Sequence, residues 1–240
     1  MGDIMKNKIL SYTEERPFYA NLIIMIFCYI GMFIIPTVVA AYFHLYIENL
    51  HICSIIGDVV YILLLYFLYL KDLNREAKVY FGDFKKKFKH SFKIYLLGFM
   101  GMVFFNLFIT IFLKGISSNE SQVREMLYSN VVTTMISISI IAPLLEELIF
   151  RKTLSPLFKN KWLYSLTCGL LFGFAHIMTN FMQNIFVMSD LLYILPYGAL
   201  GFSFGLMDYD NKTVFSSIVM HALHNSLTGI LLLITYFGGK

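Results

Sequence analysis

Seven side chains of this sequence stand at helical spacing inside runs that are otherwise apolar. Glu146, Glu147 and Arg151 close the stretch Ala142-Pro143-Leu144-Leu145-Glu146-Glu147-Leu148-Ile149-Phe150-Arg151. Phe172 and His176 are four apart, and so are His221 and Asn225. Residues four apart share a helix face, so Glu147 can pair with Arg151. Glu146 points about 100° away and is left without that partner. Pro143 removes a backbone donor just upstream and can kink the helix beside the acids. An ionisable group in an apolar span is costly, so each needs a partner or a purpose. Taken singly, each has an ordinary explanation. The acids and Arg151 could mark a helix end at the headgroups, and His176, His221 and Asn225 could be interhelical hydrogen-bond partners. Taken together, an unpaired carboxylate, two or three histidines (counting His224) and an asparagine on three helices are better explained by one polar cavity.

Such a cavity suits hydrolysis. A carboxylate such as Glu146 in a low-dielectric site can take a proton from water, and a histidine can orient that water or carry the proton. His221 and Asn225 could donate hydrogen bonds to the oxyanion formed when water attacks a peptide carbonyl. The same atoms could instead hold Zn²⁺, because Glu146, His176 and His221 make a two-His, one-carboxylate set with a fourth position open. Spacing alone leaves both chemistries open.

The three motifs, Glu-Glu-x-x-x-Arg, Phe-x-x-x-His and His-x-x-x-Asn, occur intact and in order over roughly residues 131–237. In this the sequence resembles the CPBP family, the CAAX proteases and bacteriocin-processing enzymes also called Abi proteins, which include the Ras-converting CAAX endopeptidase. Each motif alone is weak, but three in order are specific. The resemblance implies a glutamate-type intramembrane endopeptidase that needs no cofactor. By it, Glu146 and His176 would activate the water, His221 and Asn225 would stabilise the oxyanion, and Glu147, Arg151 and Phe172 would support the site. It also implies a membrane-associated peptide or protein substrate, CAAX-like or a leader, signalling or bacteriocin peptide. The short chain looks most like prokaryotic members, so a prokaryotic cell membrane is the expected location.

The elements that must position these residues are legible from composition. Of the 240 residues, 58% are hydrophobic and only 14% charged, and mean hydropathy is +0.69. Lipid-facing surface demands such a balance. Apolar runs at about 21–47, 52–70, 94–113, 131–150, 162–181, 185–207 and 213–237 each match the roughly 17–25 residues a crossing helix needs. They are too long and too continuously apolar for barrel strands of about ten alternating residues. The expected fold is therefore all-α, a single polytopic membrane domain of seven spans, or eight if a run hides a break. With the N-terminus cytoplasmic, 16 of the 19 Lys and Arg fall on the cytoplasmic side, Arg151 and Lys152 among them.

Residues 1–20 lack a signal-peptide core and cleavage site, which predicts a cytoplasmic N-terminus and a retained first span. Lys6 stands where N-myristoylation after Gly2 would want Ser or Thr. Residues 71–93 read as a basic cytoplasmic segment, helical and amphipathic with Phe81, Phe84 and Phe88, against anionic headgroups. Topology already accounts for that charge, so no nucleic-acid partner is expected. Residues 114–130 read as a polar external loop. One difficulty follows from the span count. Glu146 falls near the cytoplasmic end while His176 lies about 20 Å along its helix, so a shift, tilt or kink in the fifth helix would have to close the gap.

Other matches carry less. Gly201-Phe202-Ser203-Phe204-Gly205 fits the serine-hydrolase pattern but sits mid-helix, where small residues serve helix contacts. There is no His-Glu-x-x-His zinc signature. Asp58 and Asp190 are isolated acids expected to be hydrogen-bonded locally, and Cys28, Cys53 and Cys168 read as core residues. Two rival functions remain: a proton-coupled transporter, which no inverted repeat supports, and a non-catalytic bacteriocin-immunity or scaffold protein.

Overall fold

A computed structural model describes residues 16–113, 117–182 and 186–238. The expected cytoplasmic N-terminal segment falls mostly outside them. Every regular element among the described residues is helical. We number them α1 (Phe18–His44), α2 (Leu50–Leu68), α3 (Leu70–Gly82), α4 (Phe84–Leu113), α5 (Ser118–Ser129), α6 (Val131–Ile136), α7 (Ala142–Glu147), α8 (Lys161–Met182), α9 (Ile194–Asn211) and α10 (Phe215–Gly238). Segments α6 and α7 belong to one span, Val131–Leu157, and among the described residues seven helices are long and apolar enough to cross a membrane. The chain is an all-α polytopic membrane protein.

Close helix approaches follow from small residues. A Cβ on Gly57 of α2 would stand 2.3 Å from the Pro36 carbonyl oxygen of α1. Between α8 and α9, a Cβ on Gly205 would stand 2.9 Å from Ser165 Cα, and one on Gly201 2.8 Å from Phe172 Cβ. Ser203, between them, fits against Gly98 of α4. The Gly-x-Ser-x-Gly stretch is thus a three-helix packing seam, as small residues at membrane helix contacts would have it. The outer faces stay apolar: Phe27, Ile30 and Val38 on α1, and Leu97, Phe104 and Ile111 on α4, are exposed, as lipid contact requires.

One end of the bundle gathers the basic residues. There α3 runs from the end of α2 to the start of α4, and its Glu76 accepts the Val214 N–H at 2.8 Å and takes Lys152 Nζ at 2.5 Å. Lys87 of α4 donates to the Asn211 carbonyl at 2.9 Å. These ties bring the end of the second span, the start of the third, the end of the fourth and the turn between the sixth and seventh to the same side, which is the alternation that seven crossings require.

Three expectations change. Residues 118–129, read as loop, form α5 instead, capped by Ser117 Oγ on the Glu120 N–H at 3.1 Å. Arg151 and Lys152 are not loop residues: both are buried, Arg151 against Glu147 and Lys152 against Glu76 and Asp72. The fourth span continues to Leu157, and that places Glu146 well inside it. The gap to His176 therefore closes on the fourth helix, because α8 starts at Lys161, one residue from its expected start.

Candidate active site

The fourth span is not a regular helix. Ser137–Ile141 and Leu148–Lys152 are π-helical turns on either side of α7. Such insertions recur at functional sites because they turn side chains out of the α register. Here the cause is legible in part. The Ala142 N–H bonds Ser137 O in the wider register. The Ile138 carbonyl would next take its donor from position 143, which is proline and has none. Asn225 of α10 fills that vacancy, its side-chain amide donating to Ile138 O at 2.8 Å. Pro143 thus draws Asn225 to the fourth span, and the amide's second N–H is left for another acceptor.

One turn on, the two acids diverge as their spacing predicts. Glu147 is wholly buried and accepts Arg151 Nη1 at 2.9 Å. Arg151 also donates to the Gly201 carbonyl at 3.1 Å and lies over the Phe172 and Phe204 rings, 4.8 and 5.3 Å from their centres. The Glu147 oxygen that meets Arg151 also takes His221 Nδ1 at 2.8 Å. A carboxylate can only accept, so Nδ1 carries the proton and His221 turns Nε2 away from Glu147. Nε2 lies 3.9 Å from Glu146 Oε2. Glu146 is partly exposed, and its Oε2 has no hydrogen-bond partner among the described residues.

His176 is set in the same manner. Its Nδ1 stands 2.8 Å from the Phe172 carbonyl oxygen, again an acceptor, which leaves Nε2 with a lone pair. Its ring stacks on Tyr197 with centres 4.2 Å apart and packs against Phe172 at 4.5 Å. Tyr197 in turn shares a hydrogen bond with Ser117 Oγ at 2.8 Å, at the start of α5.

Glu146, Phe172, His176, His221 and Asn225 all line one cavity of about 430 Å³. The motif residues from three spans meet as the sequence predicts, with Glu147 and Arg151 immediately behind the lining. His224, which is not one of the motif positions, also lines it, with Nδ1 3.1 Å from the Tyr95 hydroxyl. Tyr197, Ser117 and Glu120 were missed. The Ser117-x-x-Glu120 pattern is a helix-start signature that marks α5, whereas nothing in the sequence distinguishes Tyr197. Glu120 pairs with Arg124 one turn along α5 at 2.5 Å, and this hydrogen bond raises the Arg124 guanidinium further above its ordinary value.

The Zn²⁺ alternative fares differently. Among the described residues no three His, Cys, Asp or Glu side chains stand together as a metal ion would need. In this geometry Glu146, His176 and His221 do not fit the set expected for zinc. The remaining acids divide. Asp190 accepts from Asn180 Nδ2 at 2.8 Å and from the Val187 N–H at 3.1 Å, as expected of a local structural role. Asp58 makes no hydrogen bond to the described residues, contrary to expectation.

Comparison with known proteins falls on the same region. Residues 128–227 match the family described as type II CAAX prenyl endopeptidase Rce1-like. A Bacillus subtilis (strain 168) protein named "Putative membrane peptidase YdiL" is 27% identical over 118 residues, which is 48% of this chain and 43% of that protein. The match therefore spans less than half the length of that relative. No solved structure matches the chain.

Proposed function

We propose that this chain, which over residues 128–227 is similar to the type II CAAX prenyl endopeptidase Rce1-like family, is an endopeptidase that hydrolyses peptide bonds of membrane-associated substrates inside the bilayer. Glu146 is the general base. It takes a proton from a water held in the cavity, and the water oxygen attacks the scissile carbonyl. His176, with its Nε2 lone pair, orients that water. The second N–H of Asn225 donates to the oxyanion, and His221 does so from Nε2 when doubly protonated. Glu146 then returns the proton to the leaving amine as the carbon–nitrogen bond breaks. Glu147 holds His221 in place, and Arg151 holds Glu147.

The observation that carries this reading is the placement of one partnerless carboxylate oxygen, Glu146 Oε2, 3.9 Å from a histidine nitrogen whose other nitrogen is fixed by a buried carboxylate. Substrates of the CAAX, leader, signalling or bacteriocin type, and a prokaryotic membrane with the basic end of the bundle cytoplasmic, belong to the same proposal.

The test is cleavage of fluorogenic membrane peptides by the purified protein. Glu146→Gln is expected to lower turnover at least about a thousandfold, within the range general-base removal commands, while chelator leaves the wild type active. Loss in chelator with recovery on adding Zn²⁺ would replace the glutamate mechanism with a metal one. Equal inactivity of wild type and variant on CAAX-like and leader-like peptides would favour the immunity or scaffold function.

A further inference from the structure

A second cavity, of about 310 Å³, opens at the basic end of the bundle and shares no lining residue with the first. It lies between α3, the end of the fourth span and the turn joining α9 to α10. Its charged lining is Arg75, Lys152, Lys159 and Lys212 against Glu76 and Asp208, a net excess of cations. The two acids are already engaged: Glu76 by Lys152 and the Val214 N–H, and Asp208 by the Tyr164 hydroxyl. Lys159 and Lys212 have no carboxylate partner among the described residues, so the excess positive charge is theirs.

The arrangement is built rather than incidental. Tyr209 sits between the two lysines, its ring 3.8 Å beneath Lys212 Nζ and its hydroxyl donating to the Lys159 carbonyl at 2.5 Å. Lys212 ends α9 with φ 57° and ψ 39°, and among the described residues it is the one non-glycine residue with positive φ. Glycine is the residue that this helix-end conformation favours. Lys212 keeps this left-handed conformation while it lines the cavity, its ammonium held over the Tyr209 ring. At the interface end of a membrane protein, a small polar cavity with surplus cations fits a compact anion with several acceptor oxygens.

We propose that this cavity binds a phosphate group, supplied by an anionic phospholipid headgroup or by free phosphate, with Lys159 and Lys212 as its main contacts and Arg75 beside them. The site is independent of the proteolytic reading, and occupancy would brace α3 against the turn that leads into α10.

The experiment is thermal unfolding of the purified full chain in detergent, titrated with phosphatidylglycerol, phosphatidylcholine or inorganic phosphate. Lys159→Gln/Lys212→Gly is compared with the wild type and with Lys85→Gln/Lys86→Gln, whose residues lie outside the cavity. Lys212→Gly relieves the strained backbone, so its ligand-free unfolding temperature should match or exceed that of the wild type, which separates lost binding from lost fold. Stabilisation by phosphatidylglycerol but not phosphatidylcholine, with apparent affinity weakened about fivefold per cavity lysine and unchanged in the control, supports the site with lipid as its source. The same variant dependence with inorganic phosphate alone supports it with free phosphate as the source. Equal weakening in both double variants, or no response of the wild type to any of the three, overturns it.

Discussion

Glu147 on α7 and His221 on α10 meet at 2.8 Å, carboxylate to Nδ1, although 74 positions separate them in sequence. This contact turns Nε2 of His221 toward Glu146, and it uses the same Glu147 oxygen that holds Arg151. Orientation of the histidine and neutralisation of a buried cation are therefore one device.

Replacing Glu147 by Gln should disturb both functions. Arg151 would lose its counter-charge in a fully buried position, at a cost of about 3–5 kcal/mol. His221 would lose its fixed tautomer, with turnover falling about a hundredfold. Thermal unfolding and peptide cleavage read the two effects separately. Wild-type turnover in Glu147→Gln would show that His221 is placed by something else.

Pro143→Ala supplies the N–H that position 143 lacks. The Ile138 carbonyl could then be satisfied within its own helix, in competition with Asn225. Stability should hold or rise, because proline in a helix interior is costly, while kcat/KM falls about tenfold as Asn225 is released. An unchanged kcat/KM would mean that the Asn225–Ile138 bond is not what places the amide.

The three-helix seam makes a prediction about packing alone. A Cβ at Gly98 would stand 2.2 Å from Ser203 Oγ and 2.5 Å from Ser203 Cβ. Gly98→Ala should destabilise by about 1–3 kcal/mol through overpacking, and adding Ser203→Gly should restore most of that loss in a double-mutant cycle. Independent, additive effects would contradict the contact.

Tyr197→Phe keeps the ring on His176 and removes the hydrogen bond to Ser117. A single bond of this kind is worth about 1 kcal/mol, so KM should shift no more than about fivefold with kcat held. Tyr197→Leu also removes the stack and should lower kcat. Identical kinetics for the two variants would argue against the ring as the element that positions His176.

Apolar run lengths were enough to locate the spans, and helical spacing was enough to put Glu147 with Arg151, Phe172 with His176, and His221 with Asn225. What escaped depends on contacts between distant segments. The π turn at 137–141 arises where Pro143 withholds a donor from Ile138 and Asn225, 87 positions from Ile138, replaces it, and no local pattern announces that. Arg151 and Lys152 look like residues at a membrane surface until Glu147 and Glu76 are seen to neutralise them. Helix α5 is too polar for a hydropathy reading, although its Ser117-x-x-Glu120 start was there to be found. Tyr197 is one aromatic among many, marked only by the histidine it faces.

The order in which a ribosome delivers these helices has its own consequence. Glu146 and Glu147 reach the bilayer well before His221 and Asn225, which arrive only with α10. Until then Glu147 already has Arg151 one turn away, so that pair enters the bilayer with its two charges compensated. Glu146 meanwhile has neither His221 beside it nor Asn225 across the cavity. Under the proposed function, the hydrolytic centre is complete only when the helix bearing His221 and Asn225 is in place.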